Sequence, residues 1–281
     1  MGKIGLALGG GGVAGSAHLG VLLALEEAGI PVDCVAGTSA GAIVAALYAY
    51  GYGPEELIGM VSAINKRYLD YDYLSLFLRL INRSVTVQGI IKGEKLRDLI
   101  VNKTGNTRIS DIRRPLALLS SDLQHARQVV FASCEYRHDD NEVDVITDIP
   151  IADAVQASFA IPVLFRPVAH NGRLLVDGGI MDNCPVTAAR ALGADKVIAV
   201  NLVCANPVST PFPSIMSVLS RVISMNLAIQ ARSIARHADI VLHPDVGTVG
   251  VLEFPKLHAC IEYGYEHTRS RIKEIKETLG W

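Results

Sequence analysis

One serine in a glycine-flanked turn is the group in this sequence best placed to act as a nucleophile. Ser39 stands between Gly37 and Gly41, after an apolar run typical of a strand and before a run typical of a helix. On a tight strand-to-helix turn the flanking positions need small residues, because the backbone doubles back on itself. Ser39 would then lie at a helix N-terminus, where free N–H groups and the helix dipole stabilise negative charge. The pattern is typical of a nucleophile elbow, although it also arises by chance in glycine-rich sequences.

Four consecutive glycines, at positions 9–12, follow the first predicted strand. A loop without side chains exposes its N–H groups and can wrap an anion. Residues 10–15 also match the dinucleotide pattern G-x-G-x-x-G, so the anion is either a pyrophosphate or the oxyanion of an acyl-transfer intermediate. A dinucleotide site needs an acidic residue at the end of the next strand. Asp33 precedes that strand and the Ser39 elbow follows it, which favours the oxyanion.

An aspartate followed by two glycines ends another predicted strand, residues 173–177. Asp-Gly-Gly by itself usually marks a simple turn. Together with the elbow and the glycine loop, Asp177 becomes a candidate base. Open parallel sheets bind ligands at the carboxyl ends of their strands. All three motifs are predicted at such ends, and we expect them to converge.

These motifs belong to a set of blocks that resembles the patatin-like phospholipases, in particular the small bacterial branch related to the catalytic domain of neuropathy target esterase. The resemblance extends from about residue 3 to about residue 203. Its blocks follow one another in the family's order, at residues 6–12, 17–22, 37–41, 157–168 and 177–185.

The resemblance implies a serine acyl hydrolase, an esterase or lysophospholipase that cleaves carboxylic or phospholipid acyl esters with a catalytic dyad. Ser39 matches the nucleophile, Asp177 the base that takes its proton directly, and Gly10, Gly11 and Gly12 the oxyanion hole. The expected partner is an acyl ester or lysophospholipid, and no cofactor or metal is expected. A carboxylate with a pKa near ~4 is a weak base, so it needs desolvation and donors that stabilise the alkoxide.

Another hydrolase architecture is compatible with the order of the motifs. The common α/β-hydrolase uses Ser, Asp and His in that order. The histidines that follow Asp177 are His237, His243, His258 and His267. That fold places its elbow after several strands, whereas Ser39 follows the second predicted strand, so the sequence favours the two-residue site.

One position departs from the family's pattern. Ala14 stands where the patatin-like proteins have Arg or Lys, so the charge beside the glycine loop is missing. This leaves open a weakly active binding or regulatory protein, and an acyltransferase that uses the same acyl-enzyme is a further alternative. His18 and His125 are two other side chains that could lie near the loop.

Composition limits the class of protein. Half of the 281 residues are apolar, 19% are charged, and the net charge of −2 argues against nucleic acid as a partner. Apolar runs fall far short of about 20 residues, and glycines interrupt any secretory pattern at the N-terminus. The five cysteines show no Cys-x-x-Cys spacing. These observations predict a reduced, cytoplasmic protein.

Strand and helix patterns alternate along the chain, which predicts a three-layer α/β/α sandwich with a mainly parallel central sheet. We expect a single domain over residues 1–281, with residues 205–281 as a C-terminal helical extension packed on it. Strands are predicted at 3–8, 33–37, 115–120, 128–132, 173–177, 196–202 and 239–242. Helices are predicted at 15–28, 40–51, 54–66, 93–103, 151–157, 185–192, 214–236 and 257–278. Apolar residues in 68–80 and 215–234 either pack on the core or form a lid or a surface that contacts lipid or a second copy.

Overall fold

A computed structural model of the chain describes residues 2–82, 84, 86–138, 141–203 and 211–280. Within these residues the strands are β1 (Ile4–Leu8), β2 (Cys34–Thr38), β3 (Gly89–Ile91), β4 (Leu116–Asp122), β5 (Arg127–Ala132), β6 (Val143–Ile146), β7 (Val163–Phe165), β8 (Val168–His170), β9 (Arg173–Asp177), β10 (Lys196–Val200) and β11 (Ile240–Leu242). The helices are α1 (Ala17–Glu27), α2 (Ala40–Tyr50), α3 (Pro54–Ser62), α4 (Tyr73–Ile81), α5 (Glu94–Thr104), α6 (Ile151–Ser158), α7 (Val186–Ala191), α8 (Ile215–His237), α9 (Leu257–Ser270) and α10 (Ile272–Leu279).

The central sheet runs in the order β11-β10-β1-β2-β4-β5-β6. Neighbouring strands from β11 to β4 are parallel, as are β5 and β6, whereas β4 and β5 are antiparallel. Strand β9 pairs antiparallel with both β4 and β8. Every residue of β1, β2 and β4 is buried, as expected for strands covered on both faces. The predicted, mainly parallel sheet is confirmed.

Alternate residues of the central strands belong to two separate hydrophobic cores. Leu6 and Val35 lie in a core with residues of α1, α2 and α9, while their neighbours Ala7 and Ala36 lie in a core with residues of α7. Successive side chains of a strand point to opposite faces, so the two cores lie on opposite faces of the sheet. This is the three-layer arrangement that the alternation of elements predicts.

The predicted helices and strands are all present, with ends that differ by a few residues. The prediction of one helix over residues 257–278 is wrong in one respect, because α9 ends at Ser270 and α10 begins at Ile272. Arg271, between them, leaves helical geometry and donates through its guanidinium to the Val241 carbonyl oxygen at 2.6 Å. The short strands β3, β6, β7 and β8 and the helix α4 are not among the predicted elements.

The described part of the C-terminal region, residues 211–280, packs on the rest of the chain. Strand β11 extends the sheet beside β10, and α9 crosses α1 at very short range. A Cβ atom at Gly20 would lie 2.0 Å from the Ile261 carbonyl oxygen, and one at Gly264 would lie 2.0 Å from the Ala17 carbonyl oxygen. Glycine at both positions therefore permits backbone contact between the two helices.

The two apolar segments singled out in the sequence each present side chains to solvent. The exposed side chains are Tyr73, Leu74, Phe77, Leu78 and Ile81 on α4, and Val218, Val222, Met225 and Ile229 on α8. Contact of these faces with lipid or with a second copy stays a prediction. None of the helices in the described residues is long and apolar enough to cross a membrane. Cys34, Cys134, Cys184 and Cys260 are unpaired, and Cys204 lies outside the described residues.

Candidate active site

Ser39 occupies a strained turn between β2 and α2. Its φ of 56° and ψ of −122° lie in a region that side chains rarely adopt, at a cost of order 1–3 kcal/mol. A Cβ atom at Gly37 would lie 2.5 Å from the Gly41 carbonyl oxygen, and one at Gly41 would lie 2.2 Å from the Leu8 carbonyl oxygen. Both flanking glycines therefore allow backbone contacts that no other residue would permit.

Strand β4 brings Ser39 and Asp177 together. Leu119 of β4 pairs with Thr38, the last residue of β2, and the next residue, Ser120, pairs with Asp177, the last residue of β9. The other edge of β4 is occupied by β5 at the same positions, so β2 and β9 share one edge and meet end to end. Ser39 directly follows Thr38 and therefore lies beside Asp177.

This arrangement differs from the expectation that Asp177 ends a parallel strand. Strand β9 runs antiparallel to β4 and approaches the carboxyl end of β2 from beyond the sheet. The expected convergence of the motifs is found, but the two strand ends face each other instead of standing side by side. A Cβ atom at Gly178 would lie 2.4 Å from the Leu119 carbonyl oxygen, which explains a glycine directly after Asp177.

The Asp177 carboxyl group is buried, and its two oxygens differ. Oδ1 accepts a hydrogen bond from the Gly179 N–H at 2.7 Å. Oδ2 has no partner of good hydrogen-bond geometry among the described residues. Burial raises the pKa of Asp177 to about 6, while hydrogen bonds from Ser39 and from the Gly179 N–H act to lower it. The carboxyl group therefore has one oxygen fixed and the other available to the serine.

The glycine loop lies against Ser39. A Cβ atom at Gly10 would lie 3.0 Å from the Ser39 Cβ atom, and the Gly10 N–H already donates to the Asn183 carbonyl oxygen at 3.0 Å. The N–H groups of Gly11 and Gly12 make no hydrogen bond within the described residues. Of the three glycines predicted to form an oxyanion hole, two thus have free donors, and Gly10 provides close contact with the serine.

His18 supports the loop from beneath. Its Nε2 atom lies 2.6 Å from the Gly9 carbonyl oxygen, and burial lowers the pKa of His18 to about 4, so the ring is neutral near pH 7. His125 lies in a different environment, where its Nδ1 atom pairs with Asp122 at 2.7 Å. Although burial acts to raise the pKa of Asp122, hydrogen bonds from His125 and its neighbours lower it to about 2.

Ser158 is a supporting residue to which the sequence analysis assigns no role. Its Oγ atom accepts a hydrogen bond from the Ser39 N–H at 3.0 Å, and two residues later the Ala160 carbonyl oxygen accepts one from the Asp177 N–H at 2.9 Å. The end of α6 thus binds the backbone of both Ser39 and Asp177. Ser158 lies in the sequence block 157–168 that resembles the family, and this block was the available indication of its role.

Asn183 and Gln230 support the turn after Asp177. Cβ atoms at Gly10 and Gly179 would lie 2.6 and 2.9 Å from Asn183 Oδ1, so this side chain fits between the two glycines. The Asn183 N–H donates to Gln230 Oε1 at 2.9 Å, and Gln230 Nε2 donates to the Gly179 carbonyl oxygen at 3.0 Å. Gln230 lies on α8, and no motif in the sequence connects it with residues 177–183.

A family model described as "Patatin-like phospholipase" matches residues 6–190, which contain the elbow, the glycine loop and the Asp177 turn. The chain belongs to the patatin-like phospholipase family. This membership decides against the dinucleotide site and the common α/β-hydrolase as alternatives.

Curated relatives of this patatin-like chain carry related names. It is 32% identical over 200 residues to an uncharacterized NTE family protein of Mycobacterium tuberculosis, a match that covers 71% of this chain and 49% of the relative. It is 33% identical over 200 residues to lysophospholipase NTE1 of Saccharomyces cerevisiae, covering 71% of this chain and 11% of the relative. The chain thus spans about half the length of the first relative and a small part of the second.

Solved structures share the patatin-like fold. VipD from Legionella pneumophila matches with a TM-score of 0.54 at 16% identity, over 97% of this chain and 67% of that chain. Human GIVD cytosolic phospholipase A2 matches with a TM-score of 0.53 at 13% identity, over 99% of this chain and 60% of that chain. At these identities the likeness shows the fold alone.

An apolar cavity of about 110 Å³ opens beside Ser39 in this patatin-like domain. Its lining side chains come from the turn that follows the glycine loop, from α2, from α3 and the residues after it, from α5, from the segment after α6, and from residues 251–257 in front of α9. Nearly all of them are aliphatic or aromatic. The cavity is therefore suited to an acyl chain whose carbonyl group lies at Ser39.

Proposed function

We propose that this chain is a serine acyl hydrolase, an esterase or lysophospholipase, that cleaves carboxylic or phospholipid acyl esters through Ser39 and Asp177. The observation that carries the proposal is the end-to-end meeting of β2 and β9 on β4, which sets the elbow serine beside a buried carboxyl group. Family membership, a relative named lysophospholipase and the apolar cavity support a lipid-like ester as substrate.

Asp177 acts as the general base in this proposal. Its Oδ2 atom takes the proton of the Ser39 hydroxyl group while Ser39 Oγ forms a bond to the carbonyl carbon of the ester. Burial raises the pKa of Asp177 to about 6, which makes the carboxylate a stronger base than an exposed aspartate. The group is still ionised at pH 7 to 8, so it meets both requirements of a base at neutral pH.

The free N–H groups of Gly11 and Gly12 stabilise the negative charge that develops on the carbonyl oxygen. The N–H of Ala40, at the start of α2, is a third donor, because it also makes no hydrogen bond within the described residues. The N-terminal end of α2 adds the favourable potential of the helix dipole. Such donors are each worth about 10²- to 10³-fold in rate.

The reaction is completed by three further proton transfers through the same carboxyl group. The tetrahedral intermediate collapses, the bond to the leaving alcohol breaks, and Asp177 returns the proton to that oxygen. Water then attacks the acyl-Ser39 ester, with Asp177 again taking a proton. Collapse of this second intermediate breaks the bond between the acyl carbon and Ser39 Oγ, Asp177 returns its proton to Ser39 Oγ, and the carboxylic acid is released.

Replacement of either member of the pair tests the proposal. We expect Ser39→Ala to abolish labelling by a fluorophosphonate probe, and Asp177→Asn to lower short-ester turnover by about 10²- to 10⁴-fold. Ser62→Ala and Asp98→Asn are matched controls, because both residues are exposed. Turnover in Asp177→Asn at the wild-type rate would remove Asp177 from the mechanism, and labelling of Ser39→Ala would remove Ser39. Repeating the assay with an added alcohol acceptor separates hydrolysis from acyl transfer.

A further inference from the structure

Residues 251–257, here called the C-terminal wall, form one side of the cavity beside Ser39. Val251, Leu252, Phe254 and Leu257 contribute to its lining. These residues follow residue 190, where the match to the patatin-like family model ends. The rest of the lining, which includes side chains of α2, α3, α5 and the segment after α6, belongs to the matched region.

We propose that the C-terminal wall sets the acyl-chain length that the site prefers, with Leu252 and Phe254 as the residues that determine it. The inference rests on the proposed function, because it concerns the substrate of the same serine.

Hydrogen bonds tie both ends of the wall to the turn that directly follows the glycine loop. The Val13 N–H donates to the Val251 carbonyl oxygen at 3.0 Å, and the Ser16 hydroxyl group donates to the Leu257 carbonyl oxygen at 2.9 Å. A Cβ atom at Gly12 would lie 2.6 Å from the Val251 carbonyl oxygen. The wall therefore lies at a fixed distance from the loop that faces Ser39.

The helix that follows the wall also holds it in place. It leads directly into α9, which lies in backbone contact with α1 at Gly20 and Gly264. Leu257 and Ile261 of α9 are buried in the main hydrophobic core. Retreat of the wall would disrupt this packing, so we expect the wall to keep its position when an acyl chain binds.

The wall residues determine how much apolar surface an acyl chain contacts beside Ser39. Leu252 and Phe254 contribute large apolar side chains to the lining of a cavity of about 110 Å³ that is open to the protein surface. An apolar pocket discriminates a single methylene by about 10- to 200-fold, so the contribution of the wall should be visible in kinetics.

A series of p-nitrophenyl esters from acetate to dodecanoate tests the inference with the intact chain. We expect kcat/KM of the wild-type protein to peak at one chain length within the series. Phe254→Ala should move the peak to longer chains, and Leu252→Phe should move it towards acetate. Tyr263→Ala is the control, because Tyr263 is exposed on α9 and does not line the cavity. The position of the peak is a ratio within one protein, so a partly unfolded variant does not shift it.

Two results would overturn the inference, and they are distinguishable. If both wall variants keep the wild-type peak while acetate turnover still depends on Ser39, the wall does not select the chain and the proposed function stands. If no ester in the series is cleaved in a Ser39-dependent manner, the proposed function fails and the inference fails with it. Opposite shifts in the two variants, with none in Tyr263→Ala, would support the inference.

Discussion

The two sides of the Ser39 cavity are built in different ways. On the side of the elbow and Asp177, short motifs hold a strained serine and a buried carboxyl group with an unsatisfied oxygen. On the side of the C-terminal wall and α9, apolar side chains pack tightly and two glycines permit backbone contact with α1. Strain and burial of the reactive groups on the first side lower the stability of the fold, whereas packing on the second side stabilises the fold and shapes the cavity. Substitutions on the first side should therefore mainly lower activity, whereas substitutions on the second side should mainly lower the free energy of unfolding.

Acidic pH should affect the chemical side strongly. The base must be ionised, and burial raises the pKa of Asp177 to about 6, so the fraction of active carboxylate falls as the pH falls below 6. We expect kcat/KM for a short ester to drop about tenfold per pH unit there, reaching about 100-fold at pH 4. A profile measured from pH 4 to 9, with circular dichroism to verify the fold at each pH, checks this. If kcat/KM instead begins to fall only near pH 4, the base is a carboxylate that is exposed to solvent and has an ordinary pKa.

Crowding the contact between α1 and α9 should have the largest effect on the packing side. In Gly20→Ala the new Cβ atom would lie 2.0 Å from the Ile261 carbonyl oxygen and 2.5 Å from the Tyr265 nitrogen. Because backbone atoms cannot rotate away, we expect a loss of about 3 kcal/mol in the free energy of unfolding. Gly59→Ala is the matched control in α3, where the new Cβ atom would have no described atom outside the local helix backbone within 4 Å, and it should gain about 0.5–1 kcal/mol. Urea unfolding measures both changes, and equal stabilities would contradict the close crossing.

The same contrast explains what could be predicted from the sequence. Gly37, Gly41 and the glycine loop are local patterns, and each has one physical reason for its residue type. The sequence correctly predicts that the ends of β2 and β9 meet, but it predicts this for parallel strands. The antiparallel pairing of β9 with β4 involves only three residue pairs, among them Ser120 with Asp177, and such a short pairing has no sequence signature.

Contacts between distant segments could not be predicted at all. Val251 touches the loop at Gly12 and Val13, and Gln230 holds the turn at Gly179. Neither contact is accompanied by a pattern near either residue, since any apolar or amide side chain would look the same in sequence. Motifs therefore predict the chemistry of this protein better than the shape of its substrate.

Neutralising the buried carboxyl group should increase stability. Because the folded-state pKa of Asp177 is raised to about 6, the charged form is disfavoured in the folded chain, and wild-type stability falls as the pH rises through that value. Asp177→Asn removes this cost, so we expect a gain of about 2 kcal/mol at pH 8 and none below about pH 4. Urea unfolding at the two pH values measures the difference. A variant less stable than wild type at pH 8 would contradict the conclusion that the buried, charged carboxylate of Asp177 destabilises the folded chain.

The smallest effect is expected at Ala14, the position where the family pattern has a basic residue. Ala14 is buried, and a Cβ atom at Gly11 would lie 3.5 Å from the Ala14 Cβ atom, so position 14 adjoins the proposed oxyanion donors. In Ala14→Arg the stem would pass along the apolar surface and the guanidinium would reach towards solvent near the loop. Partly screened charge at such a distance is worth about 1 kcal/mol or less, so we expect kcat to rise by at most about fivefold. Ala14→Met adds a similar stem without charge and should give no gain. Equal rates in the two variants would show that the missing charge does not limit this chain.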